Sequence, residues 1–199
     1  MAKRSASEQE AVQIIGAQLP RLEECLRLAW AEWVRTRLYH QNNGHSVSPR
    51  ARASVMYDLV AGHARRMFAG VPGVRVGTER GFLTLTFGNR LVVRFKKLNA
   101  KLEWSGIPTE QQQLFACQGE IEGLPPRATF LVAGYVLDRT GTQIARLVLT
   151  CRDAHGLLWS RDLAEAAGGT VLPMPRPVSK PPPATLRSKI KTKDSKEAN

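Results

Sequence analysis

Residues 81–98, GFLTLTFGNRLVVRFKKL, constrain the fold more than any other part of the chain. Two runs of strand-forming residues, 82–87 and 91–96, flank Gly88-Asn89. Both members of that dipeptide tolerate positive φ, and such a turn matches the twist of paired strands. The stretch therefore predicts a β-hairpin. Side chains alternate faces along a strand, so Val93, Phe95 and Lys97 share one face while Val92, Arg94 and Lys96 share the other. The hairpin is expected to be a core element that also presents positive charge.

Charge is unevenly spread along the 199 residues, whose formal net charge is +12. Residues 49–107 hold eleven Lys/Arg against three acids, and residues 173–199 hold seven against two. The remaining segments are close to balanced. Basicity concentrated in the middle of the chain and at its end favours a polyanionic partner, because each neutralised phosphate releases counterions. Arg and Lys at a strand end also cover apolar edges with their stems, and Lys on an edge strand blocks aggregation, so a purely structural role stays open. The three cysteines, Cys25, Cys117 and Cys151, are far apart and odd in number, which argues for reduced thiols and a cytoplasmic setting. The polar start of the chain lacks the apolar stretch of a secretion signal, and no apolar run is long enough for a membrane span.

Before the hairpin the pattern is helical. Val12, Ile15, Leu19, Leu22, Leu26, Trp30, Trp33 and Val34 recur at steps of three and four, with Pro20 expected to kink the helix or begin a second one. Ser48-Pro49 reads as an N-cap followed by a first-turn proline, opening another helix that the Gly70–Gly73 region ends. A short strand near residues 74–76 completes a three-stranded meander with the hairpin. Thr109, three residues before Gln112, caps a short helix over about 109–118. Strands near 129–138, 144–151 and 157–160, separated by Gly- and Asp-containing turns, make a second antiparallel meander. The expected architecture is α+β: one domain over residues 7–165, with N-terminal helices packed on antiparallel β-meanders. Residues 1–6 are expected to be flexible, and residues 166–199, proline-rich and then basic, to form a disordered tail.

Catalytic signatures are scarce. There is no phosphate-binding glycine loop, no G-x-S-x-G, and no pairing of His, Cys or acids at metal-ligand spacing, so no cofactor and no metal are expected. The residue types point instead to nucleic acid. Arg90, Arg94, Lys96, Lys97 and Lys101 are candidate phosphate contacts, Trp104 is a candidate stacking platform, and Arg187, Lys189, Lys191 and Lys193 would add affinity from the tail. The favoured reading is a non-catalytic binding protein. An acidic protein partner, met by an inhibitor or regulator, is the alternative. A second alternative is a metal-independent ribonuclease drawing on Arg90, Arg94, Lys96 and Lys97 with Tyr57 or His63.

Arg94-Phe95-Lys96-Lys97-Leu98, Thr109-x-Gln111-Gln112 and Ala133-Gly134-Tyr135-x-Leu137-Asp138 with Gly141-Thr142 together resemble an uncharacterised family of bacterial and phage proteins. The resemblance covers about residues 48–163. It implies a bacterial or phage setting and assigns no catalytic residues.

Overall fold

A computed structural model describes residues 5–79, 81–104 and 109–166. Helix α1 (Glu8–Ile15) begins at Ser7, whose hydroxyl accepts the Glu10 N–H at 3.2 Å while the Glu10 carboxylate accepts the Ser7 N–H at 2.8 Å. This reciprocal cap satisfies two donors that the helix start would leave unpaired. A 3₁₀ turn (Gly16–Gln18) separates α1 from α2 (Leu19–Asn42), with Pro20 in the first turn of α2. Proline has no N–H to give the preceding turn, so one long helix becomes two. Helix α3 (Pro49–Phe68) starts as the Ser48-Pro49 signal predicts, with the Ser48 hydroxyl accepting the Ala51 N–H.

Six strands follow: β1 (Val74–Glu79), β2 (Phe82–Phe87), β3 (Leu91–Leu98), β4 (Thr129–Leu137), β5 (Ile144–Asp153) and β6 (Gly156–Asp162). They form one sheet in sequence order. Helix α4 (Glu110–Ala116) lies in the connection between β3 and β4, and a final turn of helix, α5 (Leu163–Ala166), follows β6. The hairpin is present as expected. Gly88 and Asn89 have φ of 53° and 54°, and the turn closes through Arg90 N–H to the Phe87 carbonyl at 3.0 Å.

The two antiparallel meanders are joined by a parallel pair, β3 with β4, in register from Leu91↔Thr129 to Leu98↔Val136. A parallel neighbour needs a long crossover, which residues 99–128 provide. The consequence is a three-layer molecule with both sheet faces covered. On one face the N-terminal helices bury Leu22, Leu26, Trp33, Met56, Val60 and Phe68 against Leu85, Phe87, Val93, Phe95, Leu131 and Leu149. On the other, Phe115 of α4 joins Leu102, Ile121 and Leu124 over Val92, Phe130, Val132 and Val148. Strands buried on both sides read as near-continuous apolar runs, as β4 does. Trp33 is a core residue, and Trp30 packs on Tyr135 with ring centroids 6.3 Å apart.

Ala6 is hydrogen-bonded to the sheet, and residues 1–4 of the expected flexible segment 1–6 lie outside the described residues. The Ala6 N–H donates to the Thr129 hydroxyl and its carbonyl accepts from the Trp159 indole, both at 2.9 Å. The expected tail beyond Ala166 lies outside the described residues. No helix among the described residues is long and apolar enough to cross a membrane.

Candidate functional site

The sheet opens at one end. Strands β2 and β3 pair at Phe87↔Leu91, Thr86↔Val92 and Leu85↔Val93, and the ladder stops there. By contrast β1–β2 pairing continues to Glu79↔Phe82, and β3–β4 pairing to Leu98↔Val136. Tyr57 of α3 occupies the gap. Its hydroxyl accepts the Leu83 N–H at 2.6 Å and donates to the Gly81 carbonyl at 3.2 Å. A side chain thus takes the backbone donor that β3 leaves unpaired, and the buried N–H is satisfied without closing the sheet.

Two adjoining hollows result. One, of about 670 Å³, lies between α3 and the parted strands, with Tyr57, Phe82, Phe95 and Tyr135 in its walls and Arg50, Lys96 and Lys97 around it. The other, of about 650 Å³, lies beyond the carboxyl ends of β3 and β4, lined by Arg52, Lys97, Asn99, Trp104, Asp138 and Arg139 among others. Lys97 borders both. In sheets with parallel strands the crevice beyond the strand ends is a common place for ligands.

Five basic and three acidic side chains line these hollows: Arg50, Arg52, Lys96, Lys97 and Arg139 against Asp58, Glu103 and Asp138. Two of the acids are engaged locally. The Asp138 carboxylate accepts from the Thr140 hydroxyl at 2.6 Å and from the N–H groups of Thr142 and Gln143 at 2.8 and 3.2 Å. Those bonds, the Thr140 hydroxyl first, hold its pKa down to about 2. Glu103 accepts from the Asn99 amide at 3.1 Å and faces Arg152 at 3.9 Å. The cations crowd one another. Burial and then the Arg52 charge hold Lys97 below its usual pKa, and burial pushes the Tyr135 hydroxyl up to about 12 with Arg52 opposing it. Arg52 is itself fixed by donating to the Gly141 carbonyl at 2.9 Å.

The cationic residues of the hairpin do not gather into a single outward patch. Arg94 is 2% exposed, a correction to its expected role as a surface phosphate contact. It belongs to the sheet face that α4 covers, with its guanidinium carbon 4.6 Å from the Phe115 ring centre and 5.0 Å from that of Phe82. Lys96, half-buried, lies over the same Phe82 ring at 5.0 Å. Lys97 is exposed at the opened end. Arg90 borders a different hollow with Arg127 and Thr129, at the far end of β3. Seven residues of strand at about 3.3 Å each put it roughly 20 Å from Lys97. Lys101 is exposed in the tight loop after β3, where its N–H donates to the Asn99 side chain, and Trp104 is partly buried on the rim of the second hollow. Arg187, Lys189, Lys191 and Lys193 lie outside the described residues.

Of the residues named for a metal-independent ribonuclease, Tyr57, Lys96 and Lys97 border one hollow, whereas Arg90 lies at the far end of β3 and Arg94 is buried. His63 is buried between Glu32 and Arg66, each 3.1 Å from a ring nitrogen, while the Tyr57 hydroxyl is held by β2. No group of three or more His, Cys, Asp or Glu side chains placed to hold a metal ion occurs among the described residues. Arg52 and Arg139 were not singled out by sequence reasoning. They come from a helix start and a turn far apart in the chain, and only the fold brings them together. Comparison with known proteins finds no matching family model, no matching curated protein and no matching solved structure.

Proposed function

We propose that this chain is a non-catalytic nucleic-acid-binding protein that holds a phosphate backbone along the opened end of its sheet. One observation carries the reading: Arg50, Arg52, Lys97 and Arg139 surround two adjoining hollows that share Lys97 as a wall, with Trp104 on the rim. Phosphates would lie against the cations, and a base would stack on the indole or enter the aromatic-walled hollow. The excess of eleven basic over three acidic residues in segment 49–107 supports the same choice of partner, and the basic end of the chain would add affinity without sequence preference. From the resemblance of residues 48–163 to bacterial and phage proteins we infer a bacterial or phage cytoplasm as the setting.

Fluorescence anisotropy with labelled single-stranded and duplex DNA and RNA tests it. Lys97→Glu with Arg139→Glu is expected to weaken binding roughly tenfold or more, while Arg90→Glu at the far end changes it little. Equal losses from both ends would show that only net charge matters. A wild-type chain that binds no nucleic acid, but retains an acidic protein from nuclease-treated lysate, would replace this reading with the protein-partner one.

A further inference from the structure

A second set of donors lies on the opposite side of β3, under α4. Arg94 is 2% exposed, yet its Nε and Nη2 have no hydrogen-bond partner. These two nitrogens form one edge of the guanidinium, the side-on pair that grips two oxygens of an oxyanion at once. The aromatic rings of Phe82 and Phe115 contact the guanidinium but offer it no ordinary acceptor. One turn before Phe115 on α4, Gln111 is 8% exposed, and its Nε2 also lacks a partner. Residues four apart share a helix face, so the Gln111 amide and the Phe115 ring both belong to the side of α4 that meets the sheet.

Unpaired buried donors are uncommon, and an uncompensated buried charge is costly. Here two cations sit together, since Lys96 and Arg94 contact the same Phe82 ring. No carboxylate among the described residues lies within ion-pair distance of either. Burial lowers the Arg94 pKa to about 10, with Tyr57 and then Glu79 opposing it. Burial and then the Arg94 charge lower Lys96 as well.

We propose that Arg94, Gln111 and Lys96 form a receptor for a single phosphate group between β3 and α4. The Arg94 edge takes two oxygens, the Gln111 amide a third, and the half-exposed Lys96 closes the site toward solvent. A phosphate suits it better than a carboxylate. Two cations match a dianion, and three donors on two different elements match more than two oxygens, whereas a carboxylate would be satisfied by the Arg94 edge alone. Lys96 and Phe82 also border the first hollow at the opened end, whereas Arg94 and Gln111 line neither hollow, so the Arg94 and Gln111 variants separate this proposal from the other.

Thermal unfolding of the full chain in increasing inorganic phosphate, at constant ionic strength, tests the receptor. The melting temperature is expected to rise with the logarithm of phosphate concentration above Kd, by roughly 5–10 °C at a hundred times Kd. Acetate and chloride should produce little change. Arg94→Met and Gln111→Met should each abolish the response, and Lys96→Met should reduce it, while Lys97→Met retains it. Should Arg94→Met not fold, the Gln111 and Lys96 variants carry the test. No rise with phosphate, an equal rise with acetate, or an undiminished rise in the Gln111 and Lys96 variants would overturn the proposal.

Discussion

Tyr57→Phe removes one oxygen and leaves the ring in place, so it isolates the contact that keeps the sheet open. The hydroxyl accepts the Leu83 N–H at 2.6 Å, and Leu83 is 2% exposed. Without it, a buried backbone donor has no acceptor, at a cost of about 1–3 kcal/mol. The second bond, to the Gly81 carbonyl, adds little because Gly81 is exposed and water replaces the donor. No cavity contribution arises, since the aromatic carbons remain. A loss near 2 kcal/mol lowers the melting temperature of a domain of this size by about 4–8 °C. Urea unfolding supplies the free energy, and amide exchange by NMR supplies the location: Leu83 should lose protection while the Leu85 and Phe87 amides keep theirs. A variant within about 0.5 kcal/mol of wild type, with Leu83 still protected, would refute the reasoning. It would mean that Leu83 finds an acceptor on β3 and that the gap closes without the wedge.

Three further outcomes follow from the same geometry. Gln118, buried and held at a φ of 60°, accepts the Phe130 N–H at 2.7 Å and donates to the carbonyls of Phe130 and Arg152 at 2.8 and 2.7 Å. Gln118→Leu should cost about 2–4 kcal/mol by chemical denaturation, because it strands a buried donor and loses two further bonds. Cys25 and Cys151 are buried with thiol pKa values pushed up to about 12 by that burial, whereas Cys117 is exposed. A thiol reagent at neutral pH should label Cys117 promptly and the other two only on unfolding. Asp138 has a folded pKa lowered to about 2, so its contribution is present in full above the unfolded value near 3.9 and is lost as pH falls through about 2. Asp138→Asn should flatten the acid limb of the stability curve between about pH 4 and 2, read from urea midpoints.

What could be read from the sequence was local. Ser7, Ser48 and Thr109 each cap the helix they precede, and Gly88-Asn89 turns the hairpin, because those preferences depend on a few neighbouring residues. The division at Pro20 follows from one missing N–H. The parallel β3–β4 pair was not legible in this way, since strand direction depends on where a thirty-residue crossover returns. A signal was nevertheless present: that connection is too long for a meander, and β4 lacks alternation. The same omission explains Arg94. Alternation correctly groups it with Val92 and Lys96, but whether that face meets water depends on α4 lying over it. An arginine between Val93 and Phe95 reads as a solvent contact only until the second layer is known. The convergence of Arg50, Arg52, Lys97 and Arg139 is likewise a product of the fold, assembled from a helix start, a strand end and a turn.

The central claim, that phosphates lie along the opened end of the sheet, is tested most directly by the salt dependence of binding to duplex DNA. Arg50, Lys97 and Arg139 are all exposed, so replacing the three with alanine removes charge without disturbing the core. Each lost phosphate contact should reduce the log–log slope of affinity against salt by about 0.9, or about 2.7 for the triple variant, whereas Arg90→Ala should leave the slope as it is. A triple variant with the wild-type slope would contradict the claim and move the nucleic acid elsewhere on the molecule.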